Sequence, residues 1–172
     1  MIERRLGTKV QALARRFPVV TVTGPRQAGK TTLCRALFPR HRYVSLEAPD
    51  TREYATEDPR GFLAEVAKGA VIDEVQRAPA LLSYLQEEVD ARPRPGRFVL
   101  TGSANLGLLA GVSQTLAGRT GILTLLPFSH DELRGFPNVP RDRESTLWSG
   151  AFPAVFDRRI PTLRLQALAP PQ

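Results

Sequence analysis

The segment 17–33, FPVVTVTGPRQAGKTTL, constrains this chain more than any other part of it. An apolar, β-branched run stops at a glycine, and a second glycine five residues on leads a lysine and two threonines into a helical pattern. Gly24, Gly29, Lys30 and Thr31 satisfy the spacing Gly, four residues, Gly-Lys-Ser/Thr, in which successive backbone N–H groups wrap the α and β phosphates of a nucleotide. Glycine allows backbone dihedrals and a close phosphate approach that a Cβ would obstruct. Lys30 supplies a compact ammonium between the β and γ phosphates, and the Thr31 hydroxyl is positioned for Mg²⁺. A helix over 30–38, stopped by Pro39, adds unpaired N–H groups and the positive end of its dipole. The candidate nucleotide-binding set is therefore Gly24, Pro25, Arg26, Gln27, Ala28, Gly29, Lys30, Thr31 and Thr32. The plain alternative is a glycine turn between strand and helix. Against it stands the placement of the motif after Val19, Val20, Thr21, Val22 and Thr23, where the chemistry requires a strand.

With 172 residues, 42% of them hydrophobic, the chain has enough apolar surface for one α/β core and too little for two large ones. No apolar run approaches the ~20 residues of a membrane span, and MIERRLGTKVQALARRF lacks the apolar block of a signal peptide. The expectation is a soluble, cytoplasmic chain with no membrane partner. Its single cysteine, Cys34, excludes an internal disulfide and a cysteine-based metal site, and two isolated histidines, His41 and His130, exclude most others. The net charge of +7 is uneven: residues 1–42 carry ten basic and one acidic side chain, and residues 43–90 four basic and eleven acidic. Only Lys9, Lys30 and Lys68 among the 24 basic residues are lysines. Arginine enrichment of this kind fits genomic base composition as well as it fits nucleic-acid binding.

Ile2, Leu6, Val10, Leu13 and Phe17 recur at spacings of three and four, predicting an amphipathic helix with most of its basic residues off the apolar stripe. After the phosphate-loop motif, 43–47 (YVSLE) alternates like a second strand and runs into a polar, acidic loop. Asp58-Pro59 reads as a cap and first turn of a helix ending at Lys68-Gly69. The run 70–74, AVIDE, is a short apolar strand ending in two carboxylates. Side chains alternate at a strand end, so Asp73 is expected to face Mg²⁺ through its water shell and Glu74 the water attacking the γ phosphate. A solvated strand end is the bland reading. A helix from Pro79 carries Leu81, Leu82, Leu85 and Val89 on one side, and 97–101 is a further strand. That strand delivers Ser103, with Asn105 behind it, to the carboxyl end of the sheet, where ligands bind in doubly wound folds; it is a γ-phosphate sensor or an ordinary turn residue. A helix over 105–117, Arg119 and a strand over 121–126 complete the pattern, which fades after Phe128. Strands alternating with helices imply a parallel sheet of about five strands with helices on both faces, a three-layer α/β P-loop NTPase. The division expected is a core over 1–134 and a proline-rich tail over 135–172.

At GPRQAGKTTL, VIDEVQRAP, FVLTGSAN and TLAGRTGILTLLPFS the chain resembles the predicted AAA-superfamily ATPases of bacteria and archaea that usually carry a C-terminal domain of unknown function. The resemblance spans roughly residues 1–157 and includes Gly150-Ala151-Phe152-Pro153, similar to a Gly-Gly-Tyr-Pro common in that family. By position it implies a Walker A motif at 24–31, a Walker B motif at Asp73 and Glu74, a sensor strand end at 101–103, and Arg119 as the match to the family's Gly-Arg. It also implies that 135–172 is the remnant of a link to a missing C-terminal domain, with IPTLRLQALAPPQ standing where an aromatic-rich helix normally follows. The catalytic set it suggests is Lys30, Glu74, Ser103 and Arg119, with Thr31 and Asp73 serving Mg²⁺.

The leading expectation is Mg²⁺-dependent ATP hydrolysis driving a conformational change. A GTPase would show Asp-x-x-Gly after the central strand and an Asn-Lys-x-Asp motif; Asp73 is followed by Glu-Val-Gln, and the second motif is missing from the sequence. The competing class is a nucleotide-gated switch or nucleic-acid-associated module with negligible hydrolysis, motivated by the basic N-terminal helix. ATP is the partner the motifs require. A protein partner or self-association, and nucleic acid, remain open on sequence alone.

Overall fold

The computed structural model describes residues 4–103, 106–134 and 151–153. Five strands form one wholly parallel sheet: β1 (Val19–Gly24), β2 (Arg42–Ser45), β3 (Ala70–Asp73), β4 (Phe98–Ser103) and β5 (Thr120–Thr124), in the spatial order β2-β3-β4-β1-β5. Among the described residues seven helices accompany them: α1 (Leu6–Ala14), α2 (Lys30–Leu37), α3 (Pro49–Glu57), α4 (Pro59–Glu65), α5 (Leu81–Ala91), α6 (Leu106–Thr115) and α7 (His130–Leu133), with a 3₁₀ turn at Val75–Arg77.

The central strands are buried on both faces, which is why they read as unbroken apolar runs. Alternation along each strand assigns residues to opposite layers. Val19, Ala70, Ile72, Phe98 and Leu100 pack with Phe62, Leu63, Leu81, Leu85 and Leu116 from the α3–α6 side. Val20, Val22, Val71 and Val99 pack with Val10, Leu33 and Cys34 of α1 and α2 on the other. Cys34 is thus a core side chain; burial first, and the Asp73 charge second, push its thiol up to about 12. The threonines of β1 face β5, with Thr21 Oγ1 3.0 Å from Thr120 Oγ1 and Thr23 Oγ1 3.2 Å from Thr124 Oγ1. The two buried β1 hydroxyls thus find partners on the neighbouring strand.

The segment expected as an acidic loop after β2 is helix α3. Pro49 sits in its first turn, Ala55 is buried, and Tyr54 stacks edge-on against Phe62 of α4. Its helicity comes from packing on α4 rather than from an apolar stripe of its own. The short α7 was equally invisible to periodicity. It is set by a capping box in which Ser129 Oγ accepts from Glu132 N–H while the Glu132 carboxylate accepts from Ser129 N–H. Ile2, Ala104, Asn105 and the tail positions 135–150 and 154–172 lie outside the described residues, but 151–153 return to the core, where Phe128 N–H donates to Ala151 O at 2.8 Å.

Candidate active site

Because the strands are parallel, β1, β3 and β4 deliver Gly24, Asp73 and Ser103 to the same edge of the sheet, with β4 between the other two. The loop between β1 and α2 folds over that edge. Gly24 has φ +149°, and a Cβ there would run into the Leu125 carbonyl. Gly29 has φ +90° and opens α2 as its N-cap, with no side-chain hydrogen bond covering the first turn. The amides of a helix start left uncapped in this way suit a phosphate. Gln27 (φ 62°) and Glu74 (φ 57°) have left-handed backbones, the non-glycine positive-φ positions among the described residues. Such a conformation costs a non-glycine residue about 1–2 kcal/mol, and both instances border this site.

Lys30 is buried, and its Nζ donates to the carbonyls of Gly24 (3.0 Å) and Pro25 (2.9 Å). Burial lowers its pKa from the ordinary lysine value, opposed by the Glu74 and Asp73 carboxylates. Thr31 Oγ1 donates to Asp73 Oδ2 at 2.9 Å, joining the α2 start to the end of β3. Arg26 and Gln27 are exposed on the outer rim of the loop, Ala28 is buried beneath it, and Thr32 faces outward from α2.

Asp73 is the hub of the site. Its Oδ2 also accepts from Tyr43 Oη of β2 at 2.9 Å, and its Oδ1 accepts from Thr101 Oγ1 of β4. Burial first, then the Asp73 charge, raise the Tyr43 phenol, which keeps it a donor. Three hydroxyls on three elements therefore fix this carboxylate. Oxygen ligands of this kind, a threonine hydroxyl beside a carboxylate, fit Mg²⁺ coordinated largely through water.

Glu74 lies past the end of β3, so its left-handed backbone rather than strand alternation aims it away from Asp73. Its carboxylate accepts from Gln76 Nε2, which also donates to Ser103 Oγ at 3.2 Å. Gln76 Oε1 is buried with no hydrogen-bond partner. The amide orientation follows from its neighbours, since the opposite flip would turn a carbonyl toward a carboxylate. Gln76 and Tyr43 are neighbours of the site that the sequence left without roles, and Thr101, expected only as part of the sensor strand end at 101–103, is bonded to Asp73. Gln76 lay within VIDEVQRAP and signalled itself only by standing two residues past the carboxylate pair.

Arg119 is not brought to this site. It precedes β5 at the opposite edge of the sheet, where its carbonyl accepts from Val19 N–H at the start of β1. Its guanidinium pairs with Asp90 of α5 through Nε–Oδ1 (2.5 Å) and Nη2–Oδ2 (2.7 Å). That placement keeps Arg119 from a γ phosphate in its own chain, since β1, six residues long, separates it from the loop, about 20 Å at strand rise.

A parallel sheet of this order, with a glycine-bounded loop and a lysine-led helix at one edge facing a carboxylate from the next-but-one strand, defines a P-loop nucleotide-binding domain. The model of the AAA domain family matches residues 16–134, more than half of the chain, and the chain belongs to that family. Uncharacterized proteins of Mycobacterium tuberculosis and Mycobacterium bovis are each 38% identical to it over 164 residues, covering 92% of this chain and 35% of their own length. The chain thus spans about a third of these relatives. Among solved structures, the Walker-type ATPase of Pyrococcus abyssi superposes with a TM-score of 0.63 at 17% identity, covering 97% of this chain and 71% of that one. AMPPCP-bound DnaA from Aquifex aeolicus superposes with a TM-score of 0.58 at 16% identity, covering 95% and 60% respectively. At such identities the likeness is one of fold.

Proposed function

We propose that the chain binds ATP with Mg²⁺ and hydrolyses it, the cycle driving a conformational change. The observation that carries this reading is the Thr31–Asp73 hydrogen bond of 2.9 Å, which joins the start of α2 to the end of β3 with Glu74 beside it. In this reading, 24–31 is the Walker A motif and Asp73-Glu74 the Walker B motif. The loop amides and Lys30 hold the β and γ phosphates; the lysine exchanges its two loop carbonyls for phosphate oxygens. Thr31 and Asp73 would hold Mg²⁺, which when bound would neutralise charge developing on the phosphates. Glu74 takes a proton from the attacking water, and Ser103 senses the γ phosphate. The site is presented on a soluble, cytoplasmic domain; among the described residues no helix is long and apolar enough to cross a membrane.

A second reading is favoured by one contact. With Gln76 donating to it, the Glu74 carboxylate is engaged by an amide outside the phosphate loop, and a chain that stayed in this arrangement would be a nucleotide-gated switch with negligible turnover. Nucleic acid is the partner such a switch would meet through α1, where Lys9, Arg15 and Arg16 are exposed on and just beyond the helix.

The test is Mg²⁺-dependent ATP turnover of the purified chain beside fluorescent-nucleotide binding. Turnover supports the ATPase, and binding without turnover supports the switch. Lys30→Ala should abolish tight ATP binding by removing the charge that meets the β and γ phosphates; parent-like binding by this variant would refute the phosphate-loop assignment.

A further inference from the structure

Arg4 is buried just before α1, and the partners of its side chain lie far away in the sequence. Its Nη1 donates to Ala28 O at 3.0 Å, inside the phosphate loop. Its Nη2 donates to Leu126 O at 2.6 Å, just beyond β5, and its Nε to Glu132 Oε1 of α7 at 3.1 Å. The guanidinium lies 4.3 Å from the centroid of the Phe128 ring. Glu132 is held from the other side, Oε1 accepting from Arg5 N–H at 2.9 Å and Oε2 from Ser129 N–H at 2.8 Å. Both members of the Arg4–Glu132 pair have side chains 8% exposed, so neither charge is screened as a surface pair would be. Segment 151–153 closes the same corner, with Pro153 Cγ 3.6 Å from where a Gly29 Cβ would stand.

The chemistry of one peptide plane makes this arrangement more than packing. A trans peptide points its C=O and its N–H in opposite directions. Fixing the Ala28 carbonyl toward Arg4 therefore fixes the Gly29 N–H toward the inside of the loop, the side that faces a phosphate. Charge-assisted hydrogen bonds between guanidinium and carbonyl are short and directional, and a fork of three donors holds orientation as a single ammonium cannot.

We propose that Arg4 is a positioning residue for the phosphate loop, setting the Ala28–Gly29 peptide for phosphate and tying the loop to the chain after β5, so that nucleotide occupancy and the packing of 126–133 are linked. This rests on the reading of the loop as a nucleotide site. Linkage is reciprocal: whatever tightens the 126–133 segment tightens nucleotide, and nucleotide tightens the segment.

The experiment compares the parent with Arg4→Lys, which keeps a cation beside Glu132 but cannot hold Ala28 O and Leu126 O as well. A double variant, Arg4→Gln with Glu132→Gln, leaves no buried unpaired carboxylate and decides the matter if the lysine variant does not fold. The readouts are the Kd for fluorescent ADP with Mg²⁺, the rise in Tm that ADP produces, and amide hydrogen exchange over 126–133 with and without ADP. Arg4→Lys should raise the Kd by about ten-fold, the scale of a lost charge-assisted bond. It should also shrink the ADP-induced rise in Tm and abolish the slowing of exchange over 126–133 that ADP causes in the parent. A purely structural Arg4 would lower Tm equally with and without ADP and leave Kd unchanged, which overturns the proposal. ADP binding by the parent with no slowing over 126–133 also overturns it. A parent that binds no nucleotide overturns this proposal and the nucleotide reading together, whereas a parent that binds beside an unaffected Arg4→Lys overturns this proposal alone.

Discussion

Two carboxylates adjacent in the sequence, Asp73 and Glu74, end in unlike surroundings. Asp73 is pinned by the hydroxyls of Thr31, Tyr43 and Thr101, while the carboxylate of Glu74, one residue past the strand, accepts only from the Gln76 amide among the side-chain hydrogen bonds of the described residues. A carboxylate that must orient a hydrated cation gains from rigidity. One that must accept a proton gains from a partner it can leave. Glu74→Gln should accordingly keep ATP bound while slowing hydrolysis by about 10²- to 10⁴-fold, the usual worth of a general base. Single-turnover kinetics at saturating ATP, beside a binding titration, checks this; equal loss of affinity and rate would mark Glu74 as structural. The arginine count also changes meaning at this scale, since Arg4 and Arg97 are engaged by partly buried carboxylates and by backbone carbonyls, and Arg119 by the exposed Asp90 carboxylate. Part of the basic excess is therefore framework.

At the scale of elements, the corner where the α1 start, the phosphate loop, the β5 exit and α7 converge depends on one ionised group. Burial favours the neutral form of Glu132, but the amides of Ser129 and Arg5 and the Arg4 guanidinium outweigh it and hold the carboxyl below its ordinary 4.5. With the folded-state value depressed, the unfolded chain binds the proton more readily between the two values. The stabilisation is then complete above 4.5 and is lost as pH falls through the folded value. Thermal melts from pH 7 downward should show parent and Glu132→Gln differing at neutral pH and converging below about 4.5. A gap independent of pH would mean that the ion pair contributes nothing. The phosphate loop is itself an element property: Gly24 could not be replaced even without ligand, because the β5 exit carbonyl fills the place a side chain would take.

At the scale of the whole molecule, the sheet separates two functions that the sequence placed in one site. The carboxyl edge gathers the phosphate loop, Asp73, Glu74 and Ser103; Arg119 holds the far edge, paired with Asp90. If it serves hydrolysis, it must do so on a second chain. Turnover per chain should then rise with protein concentration, Arg119→Ala should lose about 10³-fold in rate with little change in affinity, and mixing Arg119→Ala with Lys30→Ala chains should restore part of the activity. Full turnover by Arg119→Ala alone would assign the residue to the Asp90 pair only.

What the sequence determined by itself is local in origin. The apolar runs, their glycine stops and the lysine-threonine opening of α2 each declare their conformation within a few residues, because strand burial and helix starts are written in neighbouring side chains. The parallel five-strand sheet and the phosphate loop were legible for that reason. Helix α3 was not, since its helicity depends on α4 packing against it. Nor were the roles of Tyr43, Gln76 and Arg4, whose contacts lie up to 128 residues away in the chain. The order β2-β3-β4-β1-β5 decided the rest: by setting β4 between β1 and β3 it hands Asp73 a third hydroxyl, from Thr101, and by running every strand the same way it leaves Arg119, at the start of β5, on the edge away from the loop.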